Sequence, residues 1–404
     1  MSPIYLDNNA TTRTDPAVVA AMLPFFSDHF GNASSQHSFG APVADAIRNA
    51  RKKVRTFLGA ALDQEIVFTS GGTESDNTAI LSALDTQQGR DEIVTTKVEH
   101  PALLSLLDHL RTSRGIKTHY VGVDSLGRLD LEEYRRALGP RTAIASAMWA
   151  NNETGALFPV QRLAELAHAA GALFHTDAVQ AAGKIPLHLK GTAIDMLSLS
   201  GHKFQGPKGV GALYVRKGTP FSPHLRGGAQ ERRRRGGTEN VPGIIGLGAA
   251  AELAGARMAE DHMAIRGMRD RLESAILNTI EHCFVIGDTD DRLPNTTNIA
   301  FAYVEGEAII HNLDRAGIAA SLGSACASGS MKPSHVLLAM NVPMTTLKGA
   351  IRMTLSRENT QGEVDRVLRV LPEIISKLRA TSRLWRARAR PEPVMQVSPV
   401  EMAP

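Results

Sequence analysis

Three short polar clusters in this chain combine residue types that can do chemistry with flanks that can hold them still. The first, Ser70-Gly71-Gly72-Thr73-Glu74-Ser75, follows an apolar run and opens a helical pattern. Glycines let a backbone come close to a ligand, and the N–H groups of a helix start attract an anion such as a phosphate. Alone, the motif also fits a plain βα turn with Thr73 near the N-cap. The second, His175-Thr176-Asp177-Ala178-Val179-Gln180, places a carboxylate at a strand end. A charge buried there is costly without a partner, so either Asp177 caps the next helix or a cationic ligand atom faces it. The third, Ser198-Leu199-Ser200-Gly201-His202-Lys203-Phe204, carries a lysine past a glycine-containing turn. Lys203 is then a surface lysine, or a cleft amine that can lose its proton or condense with an aldehyde. The Gly206-Pro207-Lys208-Gly209 turn beside it argues for a fixed loop.

The elements that must position these clusters follow from periodicity. Short apolar runs alternate with helical spacing from about residue 60 to 215. Strands are expected over 65–69, 92–95, 141–149, 172–176, 194–199 and 211–215, with a helix starting near Thr73. Another covers 159–170, where Val160, Leu163, Ala164, Ala167 and His168 share a face and Gly171 is placed to cap. Alternation of this kind predicts a largely parallel sheet covered on both faces, with ligands beyond the carboxyl ends of its strands. All three clusters fall at such ends. An amine for a Schiff base, a carboxylate for a pyridinium nitrogen and a phosphate cradle are together what pyridoxal phosphate requires.

Beyond about residue 242 the texture changes. A long helical stretch over 244–280, broken once or twice, precedes strands at 283–286 and 297–302 and a helix at 306–316, as in a smaller α+β unit. Residues 383–404 hold Pro391, Pro393, Pro399 and Pro404 without periodicity, and a disordered tail is expected. The 404 residues are 43% hydrophobic and 21% charged, an ordinary globular balance too large for one core. No apolar run approaches the roughly twenty residues of a membrane span, and the first residues do not read as a signal peptide. Two cysteines, Cys283 and Cys326, cannot staple a secreted scaffold of this size, so a cytoplasmic setting is expected. A net charge of +4 does not call for nucleic acid. The basic excess is local: Arg232 to Arg235 form one run, and Arg379, Arg383, Arg386, Arg388 and Arg390 a second.

The motifs together resemble the class V aminotransferase-like pyridoxal-phosphate enzymes, and within them the cysteine desulfurases of the nitrogen-fixation type. The resemblance runs from Tyr5-Leu6-Asp7-Asn8-Asn9-Ala10-Thr11-Thr12 to about Leu378. It passes through Gly31-Asn32-Ala33-Ser34-Ser35-Gln36-His37, Ser70-Gly71-Gly72-Thr73-Glu74, Glu99-His100, Asn151-Asn152-Glu153-Thr154-Gly155, the Asp177 and Lys203 segments, Arg235-Gly236-Gly237-Thr238-Glu239-Asn240-Val241 and Gly323-Ser324-Ala325-Cys326. It implies a fold-type I enzyme, with a mostly parallel seven-stranded sheet in a large domain over 16–258. A small α+β domain over 1–15 and 259–382 would carry the cysteine loop. The implied function is conversion of L-cysteine to L-alanine. Sulfur would pass to Cys326 as a persulfide and then to an iron–sulfur scaffold or other acceptor protein.

Site roles come with the resemblance. Lys203 matches the lysine that bonds the cofactor's aldehyde, Asp177 the partner of the ring nitrogen, and His100 the histidine stacked on the ring. Gln180 matches the partner of the ring hydroxyl oxygen, and Asn152 lies beside the ring. Gly72, Thr73, Ser200 and His202 match the phosphate cradle. Thr238 matches a threonine that reaches the phosphate of a second subunit, implying a homodimer. Asn32 and Arg352 match groups that hold the substrate carboxylate. Bland alternatives stand beside these: His100 before Pro101 as a turn histidine, Arg352 as a surface ion pair, and the arginine run as a solvated loop. The small residues from Ser321 to Ser330 suggest a mobile loop whose thiol can act as a nucleophile. Cys283, in an apolar strand, reads as structural. An aminotransferase or selenocysteine lyase on the same fold is the alternative activity.

Overall fold

The computed structural model describes residues 2–322 and 333–387. In chain order its strands are β1 (Ile4–Tyr5), β2 (Ile66–Thr69), β3 (Glu92–Thr96), β4 (Lys117–Val121), β5 (Thr142–Ser146), β6 (Leu173–Asp177), β7 (Met196–Ser200), β8 (Gly211–Val215), β9 (Cys283–Val285), β10 (Thr296–Phe301), β11 (Ile318–Ala319) and β12 (Ala350–Thr354). The large sheet has the order β2-β8-β7-β6-β5-β3-β4. Only β8 runs against its neighbours, β2 and β7. The β7–β8 connection, residues 201–210, is shorter than the dozen or so residues a parallel crossover needs, so the chain must turn back.

Side chains of this sheet alternate between two cores. Ile66, Phe68, Phe174, Leu197, Ala212 and Tyr214 face one, shared with the helices Ala41–Phe57 and Val241–Thr279. Val67, Leu173, Met196, Leu213 and Val215 face the other, shared with the helices Gly72–Thr86 and Pro101–Arg114. Every residue of β2, β5, β6, β7 and β8 is buried, as expected of strands covered on both faces. A third core gathers Ile4 and Leu6, Leu272 and Ile276, Ile299 and Phe301, Ile351 and Met353, and Val367 and Leu371. Around it stand the antiparallel sheet β12-β10-β9 and the parallel pair β1-β11.

Three differences from the sequence reading have physical causes. The helix Val241–Thr279 runs 39 residues without the expected break, because its one proline, Pro242, sits in the first turn. The strand β4 went unread because Lys117-Thr118-His119-Tyr120-Val121 is a sheet edge with one fully buried residue. In the segment expected to be tail, Arg383–Ala387 forms a helical turn. There Trp385 packs edge-on against His282 and Tyr303, and the Arg379 guanidinium lies 4.6 Å from its ring. Among the described residues no helix is long and apolar enough to cross a membrane.

Candidate active site

The carboxyl ends of β2, β3, β5, β6 and β7 converge on a cleft of about 330 Å³. Its lining includes Gly72, Thr73, His100, Asn152, Asp177, Gln180, Ser200, His202, Lys203 and Arg352. At one end, Gly71 adopts φ 151°, ψ −173°, a conformation open essentially to glycine alone, and caps the helix Gly72–Thr86. A Cβ at Gly72 would stand 2.8 Å from Val179, so only glycine lets this helix start approach the turn after β6 so closely. Its first N–H groups, with Thr73, Ser200 and His202 on the rim, suit an anion. Burial, followed by the charge of Lys203, lowers the His202 pKa to about 4.

At the other end, Asp177 is buried, and its Oδ1 accepts from Val179 N at 2.9 Å. Burial raises its pKa. Beneath it, His175 is fully enclosed between Ser146 Oγ and Ser198 Oγ, both at 2.9 Å, and burial drops its pKa to about 3. Among the described residues Asp76 Oδ1 has no hydrogen-bond partner, and it lies 3.6 Å from His175 Nε2. This approach is not an ion pair, because burial favours neutral His175 and protonated Asp76. Glu99 accepts from Thr96 Oγ1 at 2.6 Å and Met148 N at 3.0 Å, and burial raises its pKa to about 8. A floor of enclosed carboxyl groups with so few donors suits a cationic ligand atom above Asp177.

Lys203 Nζ reaches between these ends and donates to Asn9 O at 2.6 Å and Ala10 O at 2.8 Å. His100 caps the helix Pro101–Arg114, its Nδ1 accepting from Ala102 N at 3.1 Å. In the neutral ring that burial favours, the proton therefore sits on Nε2. Arg352, on β12, is buried and no surface ion pair. It donates to Asp7 Oδ1 at 2.7 Å and Asn152 O at 2.9 Å, which binds the second sheet to the cleft wall.

Residues 4–367 match the model of the aminotransferase class-V family. A cysteine desulfurase of Gluconacetobacter diazotrophicus is 64% identical over 385 residues, covering 95% of this chain and 96% of that protein. The cysteine desulfurase NifS of Azotobacter vinelandii is 57% identical over 385 residues, with 95% and 96% covered. A solved NifS-like protein superposes with a TM-score of 0.87 at 38% identity, covering 93% of this chain and all of that one. The chain belongs to the cysteine desulfurases of the class-V aminotransferase family. That family is dependent on pyridoxal phosphate. The SspA structure in complex with cysteine also superposes, with a TM-score of 0.77 at 31% identity over 88% of this chain.

Among the residues expected of a cysteine desulfurase, two stand away from the cleft. Asn32 is exposed, its Oδ1 accepting from Ser34 N at 2.8 Å. Thr238 is exposed on the loop after the arginine run. Cys326 lies outside the described residues. Cys283, on β9, is half-buried rather than enclosed, with Sγ 2.9 Å from Ile280 O, and burial raises its thiol pKa. The arginine run is not a solvated loop throughout. Glu231, Arg232 and Arg233 have φ of 47°, 58° and 64°. Arg235 pairs with Glu74 at 3.0 Å, and Arg234 bonds Gln64 O. Asn9 and Asp76 also line this cleft, and Lys184 stands outside it, bonded to Gln180 and Asn9; the sequence reading singles out none of the three. Asn9 lies within a quoted motif, Asp76 at the third position after Thr73, and Lys184 four residues past Gln180.

Proposed function

We propose that this protein takes sulfur from free L-cysteine, leaves L-alanine and holds the sulfur as a persulfide on Cys326. The observation that carries the reading is one cleft joining Lys203, a buried Asp177 and a glycine-shaped helix start. The donor set fits pyridoxal phosphate: anion-seeking N–H groups at one end, a carboxylate at the other and an amine between. The cofactor, when bound, supplies an electrophilic aldehyde carbon and a ring that accepts electrons. Gly72, Thr73, Ser200 and His202 would hold its phosphate, Asp177 its ring nitrogen, Gln180 its hydroxyl oxygen, and His100 and Asn152 its ring. Lys203 would hold the aldehyde carbon through Nζ, and as a free amine it would take the substrate's α-proton. Arg352 grips the substrate carboxylate, which a planar guanidinium can do with two parallel bonds; Asn32, outside the cleft, rests on the resemblance alone as its second partner.

Cys326, as thiolate, attacks the substrate sulfur. A sulfur–sulfur bond forms, the substrate's carbon–sulfur bond breaks, its electron pair stays on carbon and a proton completes alanine. His100 Nε2 handles proton traffic at the thiols. The terminal sulfur then passes to an acceptor protein for iron–sulfur cluster assembly, returning Cys326 to its thiol, in the nitrogen-fixation branch and in the cytoplasm. A homodimer with Thr238 reaching the partner's phosphate completes the reading. Leu23, Phe26, Phe30 and Phe39 support it: they flank Asn32 in sequence and are exposed at 59, 65, 69 and 61%, and the Phe30 and Phe39 rings lie 5.7 Å apart.

The test is Cys326→Ser beside Cys283→Ser. The first should keep cofactor and bind cysteine, yet lose alanine release and trap no persulfide, since a serine hydroxyl is a poor nucleophile at neutral pH. The second should stay active. Mass spectrometry of alkylated protein after brief exposure to cysteine reads the outcome. Sulfur on Cys283, or undiminished alanine from Cys326→Ser, would refute the assignment and favour a lyase or aminotransferase.

A further inference from the structure

Gln180 and Lys184 stand four residues apart in the turns that leave β6. Lys184 is half-buried, with its amino group at the enclosed end. Its Nζ lies 2.6 Å from Gln180 Oε1 and 3.2 Å from Asn9 Oδ1. On the far side of the amide, Gln180 Nε2 donates to Asn9 O at 2.9 Å. A main-chain carbonyl cannot donate, so the amide nitrogen must face Asn9 and the amide oxygen must face Lys184. Asn9 O also receives Lys203 Nζ, so one carbonyl indexes both side chains. Asn9 is itself fixed, donating to Asn152 O at 3.1 Å and Thr296 Oγ1 at 3.0 Å and accepting from Asn295 Nδ2 at 3.0 Å.

Lys184 gains nothing electrostatic in return. The charges that act on it, Lys203 and Arg352, have its own sign, and with burial they push its pKa well down. An enclosed amine without a counter-charge is a poor choice for stability, and an apolar side chain of similar length would be cheaper there. Nor does Lys184 line the cleft as Lys203 does. It borders a separate cavity of about 60 Å³ behind it, so it is no rival for the aldehyde.

We propose that Lys184 is a positioning residue, which grips the Gln180 amide oxygen so that an amide N–H is presented to the cofactor's ring oxygen. The inference rests on reading the cleft as the pyridoxal-phosphate site. A neutral amine serves as well as an ammonium, because either can donate to Oε1.

The test measures pyridoxal-phosphate binding to cofactor-free protein by equilibrium dialysis, for Lys184→Met, Gln180→Leu and the double variant. Each single change should weaken binding about tenfold, the scale of one buried hydrogen bond. The double variant should bind no more weakly than Gln180→Leu, since Lys184 acts through that amide. Lys184→Met and Gln180→Leu should displace the bound cofactor's absorption maximum alike. The thermal midpoint of cofactor-free Lys184→Met should equal or exceed that of the parent. Unchanged binding, or losses that multiply in the double variant, would overturn the proposal. If Lys184→Met does not fold, Lys184→Gln takes its place, and failure of both to fold would make Lys184 part of the scaffold and overturn it too. A parent protein that binds no pyridoxal phosphate would instead sink the reading of the cleft.

Discussion

Glu231 and the carboxyl groups under the cleft are comparably buried and oppositely treated. Glu231 receives both Arg51 guanidinium nitrogens, at 2.6 and 2.7 Å, and the Phe68 N–H at 2.9 Å. Arg51 in turn donates to Ile66 O at 2.7 Å and lies 4.5 Å over the Phe68 ring. Nothing there waits for a ligand. Beneath Asp177, by contrast, Asp76 Oδ1 and Glu99 Oε2 have no partner among the described residues. Closed charge pairs mark where this molecule fixes a loop, and under-satisfied carboxyl groups mark where it keeps a place for something else.

That contrast can be broken at either end. The largest effect is expected from Lys203→Ala, which should abolish turnover and leave no borohydride-reducible cofactor on a lysine. Asp177→Asn comes next. It should keep cofactor bound while turnover falls roughly 10²–10³-fold, the scale for removing one preorganised electrostatic partner; an unchanged steady-state rate would detach Asp177 from the reaction. At the closed end, Glu231→Ala should leave Arg51 buried and unpaired, costing about 3–5 kcal/mol and several degrees of thermal midpoint. A midpoint within a degree of the parent would show that this pair is not closed in solution.

The last effect is a matter of pH. Glu99 has a folded pKa of about 8 against an ordinary 4.5. Between those values the native state holds a proton that the unfolded chain has released, so stability falls as pH rises through that window. Glu99→Gln should remove this slope and raise the thermal midpoint at pH 8 more than at pH 5. Equal shifts at both pH values would show that Glu99 does not carry it.

The two ends also differed in how far the sequence disclosed them. Asp177, Lys203 and the Gly71-Gly72 turn were legible because parallel strands announce themselves as apolar runs and chemistry collects at their carboxyl ends. Glu231, just before the arginine run, was passed over, since its partner Arg51 stands 180 positions away and leaves no local mark. Lys184 had a local signal, its spacing from Gln180, but its second partner Asn9 is 175 positions distant. β4 was lost because an edge strand is under no pressure to be apolar. The exposure of Asn32 and Thr238 was also beyond reach, since a sequence motif shows residue types and not which face they occupy.

The position of Asn9 has a consequence for how the protein is made. Its backbone N–H is held by Thr354 Oγ1, 345 positions later, and β1 just before it pairs with β11 at Ile318–Ala319. During synthesis the β2-to-β8 sheet can assemble once residue 215 has left the ribosome, whereas the segment that anchors Lys203 must wait for almost the whole chain. The earliest residues translated are among the last to be seated, so a nascent chain carries Lys203 long before the Asn9 carbonyl that steadies it is in place.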